Sequence, residues 1–217
     1  MCRVLHHTMK KQLSILLALF SLTGILAQPL RAEDAKPKEE AKPEAAAVKE
    51  VAVLETSAGE ITIEFWTDVA PETVKNFIKL SKEGFYDGTA FHRIMKDFMI
   101  QGGDPKSKDA ALESQWGTGD PGYKIKAEFN DRKHVKGVIS MARSANPDSA
   151  GCQFFICLAP APFLDRQYTG FGKVIKGEDV LVKLGETEVK MSPGGEPSKP
   201  VKRIELKSVK IVPAEAK

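Results

Sequence analysis

Between Val51 and Val212, short strand-like segments follow one another, and only two segments have the spacing of an α-helix. Folds with a parallel sheet alternate strand and helix throughout, so this pattern argues against them. An antiparallel sheet leaves no exposed edge when it closes on itself. The sequence therefore predicts an all-β fold built around a closed barrel. Its strand-like segments are VAVLET, ITIEF, AFHRIM, FMIQG, GVISMA, CQFFICL, GFGKVI and VKRIELKSVKIV.

The first two segments are predicted to form a hairpin. Turn residues at 57–60 separate them, and Ile61 and Ile63 alternate with polar residues, so both lie on one face of their strand. In the last segment the apolar residues change phase partway along, which predicts a bulge near Ser208.

Two helices are predicted between the strands. The first extends from Pro71 to Gly84, residue types that favour the start and the end of a helix, and Val74 and Phe77 belong to one apolar stripe. The second lies around Asp179–Leu184. An amphipathic helix that follows a hairpin is suited to cover the open end of a sheet.

The distribution of charge argues against a nucleic-acid-binding protein. The formal net charge is +3, but four basic and no acidic residues lie before Glu33, so the remainder of the chain has a net charge of −1. Proteins that bind nucleic acid need a clustered basic surface. We therefore expect no nucleic-acid partner.

Motifs that would indicate a metal or a cofactor are incomplete. His92 and His134 are 42 positions apart and lack Cys or acidic residues at the spacing of a zinc site. Residues 117–122 match G-x-G-x-x-G, but Pro121 and Gly122 would break the helix that a dinucleotide site requires. We expect neither a metal nor a cofactor.

Residues 1–32 have the composition of a signal peptide. A basic pair at 10–11 precedes an apolar segment at 13–27, and Ala27 or Ala32 supplies the small residue at which such peptides are cleaved. An uncleaved membrane anchor is the alternative, although polar residues dilute the apolar segment. We expect an exported bacterial protein that is periplasmic or secreted.

The remaining chain divides into a linker, a domain and a tail. Residues 33–49 are mostly Ala, Pro, Lys and Glu, which predicts a flexible linker because such residues bury little apolar surface. The folded domain is predicted at 50–213 and a short tail at 214–217. Translation that starts at Met1 or at Met9 is consistent with the leader.

Cys152 and Cys157 are predicted to remain free, buried thiols. Both belong to CQFFICL, where five strand steps separate their Cα atoms by about 16 Å and place the side chains on opposite faces. A disulfide between them is therefore excluded.

Apolar and amide side chains surround one arginine in the segments FHRI, FMIQGGD and QFFI. If AFHRIM is one strand, Arg93 shares a face with Phe91 and Met95. Considered alone, Arg93 is more typical of an arginine that packs on a barrel exterior with its charged end in water. The neighbouring motifs favour a functional role.

Taken in order, FHRI, FMIQGGD, SMAR, SAGCQFFI, FLD and FGKV resemble the cyclophilin family of peptidyl-prolyl cis/trans isomerases over residues 50–212. The resemblance implies a closed eight-stranded antiparallel β-barrel capped by two α-helices, with Arg93 as the catalytic residue. It also implies a proline pocket of Phe98, Met99, Phe155 and Leu164, peptide-holding amides at Gln101 and Gln153, groove-lining residues Ala142 and Arg143, and aromatic walls at Phe163 and Tyr168.

Three positions depart from the family pattern. Phe163 lies where cyclosporin-sensitive members have Trp, Tyr168 lies where many have His, and Arg143 lies where members outside bacteria often have Asn. Both aromatic changes keep an apolar wall, so isomerase activity is expected to persist. Cyclosporin binding is expected to be weak because the indole N–H donor is missing.

The resemblance implies a monomeric enzyme that accelerates X-Pro rotation in proline-containing peptides and unfolded exported proteins, without a covalent intermediate. A non-catalytic proline-binding or chaperone module is the alternative. The presence of Arg93 favours the enzyme, because a pure binder does not need a charge directed at the amide nitrogen.

Overall fold

The computed structural model describes residues 49–215, which fold mainly into antiparallel β-structure with two α-helices. The predicted leader, nearly all of the predicted linker and the end of the tail lie outside the described residues. Neither helix in this part of the chain is long and apolar enough to cross a membrane. The strands are β1 Glu50–Thr56, β2 Gly59–Phe65, β3 Thr89–Ala90, β4 Arg93–Met95, β5 Met99–Gly102, β6 Val138–Met141, β7 Phe154–Cys157, β8 Gly170–Lys176, β9 Val189–Met191, β10 Pro197–Pro200 and β11 Glu205–Pro213, and the helices are α1 Pro71–Lys82 and α2 Glu178–Gly185.

Nine strands form one curled sheet in the order β3-β11-β1-β2-β8-β6-β7-β5-β4, and β9 and β10 form a separate hairpin. The prediction of a closed eight-stranded barrel was wrong in strand number and in closure. The segment predicted as the single strand AFHRIM is divided: β3 pairs with β11, β4 pairs with β5, and Phe91 and His92 lie between them. The two halves of this segment are therefore the two edges of the sheet.

The predicted first hairpin and the bulge are confirmed. β1 and β2 pair directly, and Ile61 and Ile63 are fully buried. Opposite β1, Glu55 pairs with Ser208 and the next residue pairs with Leu206, so Lys207 is the extra residue of a bulge. The change of apolar phase in the last strand has this bulge as its physical cause.

Helix α1 covers the interior of the sheet. Phe77 is fully buried on the helix, and its ring lies 5.1 to 5.5 Å from the rings of Tyr86, Phe154 and Phe171. Aromatic rings at such distances pack in offset or edge-to-face arrangements that stabilise a core. The helix thus fixes the inner face of β7 and β8.

Strand alternation gives the sheet two apolar faces. Ile94, Ile100 and Ile156 face the interior, whereas Arg93 and the residues that alternate with these isoleucines face outward. The prediction that Phe91 shares the face of Arg93 was wrong: Phe91 is buried in the interior because the strand is interrupted at 91–92.

Both cysteines in the described residues are free and buried, as predicted. The predicted strand was too long, because β7 begins only at Phe154 and Cys152 precedes it. Burial raises the pKa of each thiol to about 12, so neither is ionised at neutral pH.

Candidate active site

An apolar cluster covers the outward face of β5 and β7. Met99, Phe155 and Leu164 are almost completely buried there. The ring of Phe155 contacts Tyr168 edge-to-face, with 5.8 Å between the ring centroids. The cluster is separate from the interior core, and its outward side, together with the rim described next, is called the groove below. Its other members are Cys157, Ala161, Met95, Phe98 and Ala142.

Two aromatic side chains form one rim of this groove. Phe98 lies in the β4–β5 turn, where Asp97 takes a left-handed conformation that Asp tolerates well. Its ring lies 5.4 Å from that of Phe163, which follows Pro162 in a short helical turn and is 61% exposed. The rim is therefore apolar and open to solvent.

Arg93 lies beside the groove and is held from two sides. Its Nε and Nη2 groups donate to both carboxylate oxygens of Glu196, at 2.6 and 3.1 Å. Its Nη1 group donates to Gln101 Oε1 at 3.5 Å and lies 3.7 Å from the sulfur of Met99. About a third of the side chain is exposed, so the guanidinium is accessible to a ligand in the groove.

The two glutamines of the site form a directed chain of hydrogen bonds. Gln153 Nε2 donates to the carbonyl oxygens of Gly117 and Gly119, at 3.0 and 2.9 Å. Gln153 Oε1 then accepts from Gln101 Nε2 at 3.1 Å, and Gln101 Oε1 accepts from Arg93. Each amide is thereby fixed in one orientation.

Buried Asp104 holds the loop that orients Gln153. One carboxylate oxygen accepts from Lys106 N at 2.8 Å, and the other accepts from Gly117 N. The preceding Gly103 has a φ of +82°, and a Cβ there would meet the carbonyl oxygen of Cys152 at 2.6 Å. The second glycine of the QGGD motif is therefore required by the structure, because a side chain at Gly103 would collide with the backbone of Cys152.

Arg143 closes the groove next to Tyr168. Its guanidinium lies 4.4 Å from the centre of the Tyr168 ring, and its Nε and Nη2 groups donate to the carbonyl oxygen of Gln167. A cation over an aromatic face is attracted by the ring's negative quadrupole. Arg143 thus supports the aromatic wall.

A polar cavity of about 320 Å³ adjoins the apolar cluster across Gln101 and Gln153. Its walls include Asp120, Lys124 and Arg143. The site consequently combines an apolar subsite with a polar one, and the two glutamines and Arg93 lie between them.

His134 supports the groove from behind. It is 2% exposed and lies nearly parallel to Phe155, with 6.2 Å between ring centroids. Its ring nitrogens contact Asp165 Oδ1 at 3.2 Å and Ser140 Oγ at 3.1 Å. Burial lowers the pKa of His134, so the ring is neutral at pH 7.

The structure brings every predicted site residue to this one groove, through the contacts given above. Sequence reasoning missed Glu196 and Asp104. Asp104 was part of a quoted motif, whereas Glu196 is separated from Arg93 by 103 positions and had no motif to indicate it. In the described residues no group of three or more His, Cys, Asp or Glu side chains is arranged to hold a metal ion.

Comparison with known proteins shows the family of this chain. The family model described as cyclophilin type peptidyl-prolyl cis-trans isomerase/CLD matches residues 51–211. The chain belongs to this cyclophilin family. It is therefore an enzyme, a peptidyl-prolyl cis-trans isomerase, as its curated relatives are.

Two relatives and one structure illustrate how far the similarity extends. A cyclophilin relative, the peptidyl-prolyl cis-trans isomerase of Synechococcus elongatus, is 47% identical over 131 residues, which are 60% of this chain and 84% of the relative. Peptidyl-prolyl cis-trans isomerase-like 1 of Mus musculus is 44% identical over 142 residues, 62% of this chain and 79% of the relative. A Cryptosporidium parvum cyclophilin, crystallised in the presence of the dipeptide Ala-Pro, has a TM-score of 0.66 and 31% identity, and covers 76% of this chain and 99% of its own.

In this cyclophilin both aromatic departures from the family pattern lie on the groove. Phe163 is the exposed rim residue, whereas Tyr168 packs against Phe155 and under Arg143. The apolar wall is therefore continuous at both positions.

Proposed function

We propose that Arg93 is the catalytic residue of this isomerase and that the apolar cluster around Phe155 binds the proline ring. The supporting observation is the position of Arg93 Nη1, which borders Met99 in the cluster and has only a long hydrogen bond to Gln101. An N–H donor is thus available at the edge of the apolar cluster.

The chemistry of X-Pro rotation requires such a donor. The barrier of about 18–20 kcal/mol arises because the nitrogen lone pair is delocalised into the carbonyl group. In the twisted state the lone pair returns to the nitrogen, where a guanidinium N–H can donate to it. This interaction is much weaker in the planar ground state, so it lowers the barrier.

The apolar cluster contributes in two ways. It holds the pyrrolidine ring while the other side of the bond rotates, and it excludes water, which strengthens the field of Arg93. Gln101 and Gln153, fixed in orientation, present amide groups to the backbone of the peptide. A peptide whose proline occupies the cluster has the polar cavity beside it for a neighbouring residue.

The biological substrates proposed are proline-containing segments of exported proteins that have not yet folded. The support is the signal-like composition of residues 1–32, which would direct the enzyme to the periplasm or outside the cell. Expression of the full chain in a bacterium tests this: we expect periplasmic or secreted material whose N-terminus lies near Gln28 or Glu33. Exported material with an intact Met1 or Met9 would contradict a cleaved leader.

The competing proposal is a module that binds proline without accelerating rotation. NMR exchange spectroscopy on an Ala-Pro peptide, at a bound fraction measured by titration, separates the two. We expect cis/trans exchange many times faster than in the free peptide. Binding with unchanged exchange would contradict the catalytic assignment.

A further inference from the structure

The carboxylate of Glu196 binds the Nε–Nη2 edge of the Arg93 guanidinium. Glu196 lies in the turn of the β9–β10 hairpin, whose strand β10 packs against β4. Its two oxygens accept from Nε and Nη2 of Arg93, so the ion pair is bidentate. Bidentate arginine–carboxylate pairs fix the plane of the guanidinium as well as its position.

Glu196 is itself fixed in place. Ser198 Oγ donates to Glu196 Oε1 at 3.1 Å, and the Glu196 carbonyl accepts from Ser192 N at 2.8 Å. The hydrogen bond from Arg93 lowers the pKa of Glu196, which keeps the carboxylate charged at neutral pH. The hairpin therefore presents a preorganised anion to Arg93.

The geometry leaves Nη1 as the donor directed at the cluster. Arginine has five N–H donors on a flexible side chain, so an unrestrained guanidinium would point in many directions. Glu196 and the sulfur of Met95, 2.9 Å from Nη2, engage the Nε and Nη2 donors, while Nη1 lies near Met99 and Gln101.

We propose that Glu196 is a positioning residue that orients Arg93 for catalysis, and that the β9–β10 hairpin is thereby part of the catalytic unit. This rests on the proposed role of Arg93. It adds a residue that does not touch the substrate but sets the direction of the catalytic N–H.

Glu196 also has an electrostatic effect that opposes catalysis. The carboxylate also offsets part of the positive charge of Arg93. Its field reaches the substrate from the far edge of the guanidinium, whereas a hydrogen bond to the prolyl nitrogen depends on the distance and direction of a single N–H. Orientation therefore has the larger effect, and removing Glu196 should slow the reaction.

The test compares Glu196→Ala with Glu113→Gln. Glu113 forms the other ion pair of this hairpin, at 2.9 Å to Lys199, and does not contact Arg93. We expect Glu196→Ala to lower kcat about five- to twentyfold with KM within about twofold. The reason is that the hydrogen bond from Arg93 to the prolyl nitrogen stabilises the twisted state far more than the planar ground state. Glu113→Gln should leave both constants unchanged. An equal loss in Glu113→Gln, or a rise of kcat in Glu196→Ala, would overturn the proposal.

A double-mutant cycle with Arg93→Ala separates this proposal from the one it rests on. If Glu196 acts through Arg93, adding Glu196→Ala to Arg93→Ala causes no further loss of kcat/KM. If the losses of kcat/KM in the two single variants multiply in the double variant, Glu196 acts independently of Arg93, and the positioning role alone is overturned. A wild-type rate in Arg93→Ala would instead overturn the proposed role of Arg93.

Discussion

Among single residues, Phe155 belongs to both the groove and the structural support beneath it. Its ring is 5% exposed, lies flat on buried His134 and contacts Tyr168. Phe155 lies on the outward face of β7, away from the interior, yet it is buried by its contacts with His134 and Tyr168. Stability and substrate binding are therefore coupled at this position.

We expect Phe155→Ala to reduce stability and activity together. Truncating a buried Phe costs about 3–5 kcal/mol, and the same change opens the proline pocket. Denaturant unfolding and an isomerisation assay measure the two effects. The matched control is Phe163→Ala, because Phe163 is 61% exposed and should cost little stability. A Phe155→Ala variant of wild-type stability would contradict the packing described above.

Phe163→Trp should tighten cyclosporin binding without much change in peptide turnover. Trp supplies an indole N–H donor that Phe lacks, and one such hydrogen bond contributes about 0.5–1.5 kcal/mol, or roughly three- to tenfold in Kd. Calorimetric titration of both proteins measures the gain. Low-nanomolar binding by the wild type, or loss of isomerisation in Phe163→Trp, would show that Phe163 does not occupy the position proposed for it.

Secondary-structure elements differ in how much of their structure was visible in the sequence. The first hairpin, α1, α2 and the bulge at Lys207 follow from local patterns of apolar residues, so they were predicted. The division of residues 89–95 was not, because it depends on pairing with two distant strands. The β9–β10 hairpin was missed because its strands are short, three and four residues, and bury only Ser198.

The N-terminus of helix α1 also depends on a contact that local sequence does not show. Ala70 precedes the helix and has no side-chain acceptor for the first N–H groups. Glu128, more than 50 positions away, accepts from Glu72 N at 3.1 Å and from Thr73 N at 2.8 Å. The cap is therefore a tertiary contact, which no local motif indicates.

Glu128→Ala should lower the free energy of unfolding by about 1–2 kcal/mol while kcat/KM changes less than about twofold, because the helix loses its cap but the groove keeps its residues. Thermal unfolding and an isomerisation assay measure these values. Glu72→Gln is the control, since that exposed carboxylate makes only a 4.0 Å pair with Lys75. Equal destabilisation by both changes would contradict the capping role.

At the scale of the whole molecule, the site combines residues from most parts of the described chain. The groove residues were predicted through the resemblance of the quoted motifs to the cyclophilin family, which supplies each residue at its place in a motif. Glu196 and the loop at Gly117 join the site only through the fold. The predicted residues therefore define the groove, and the residues that hold them in position required the structure.

An isolated fragment of residues 50–213 should fold and isomerise as well as the full chain. β1 begins at Glu50 and β11 ends at Pro213, and these two strands pair along their length, so the fragment contains the complete sheet. We expect kcat/KM within about twofold of the full-length value and the same cooperative unfolding. A fragment that folds but loses activity would show that residues outside it contribute to catalysis.

Catalysis by Arg93 is tested most directly by kcat/KM of Arg93→Ala on an Ala-Pro peptide, measured beside its melting temperature. Arg132→Ala is the matched control, since Arg132 also forms a partly exposed ion pair, with Asp68 at 2.8 Å, but outside the groove. We predict at least a tenfold loss of kcat/KM in Arg93→Ala at a nearly unchanged melting temperature, because the hydrogen bond to the twisted amide is lost while a partly exposed ion pair contributes little stability. Wild-type activity in Arg93→Ala, or a loss of activity no larger than in Arg132→Ala, would contradict it.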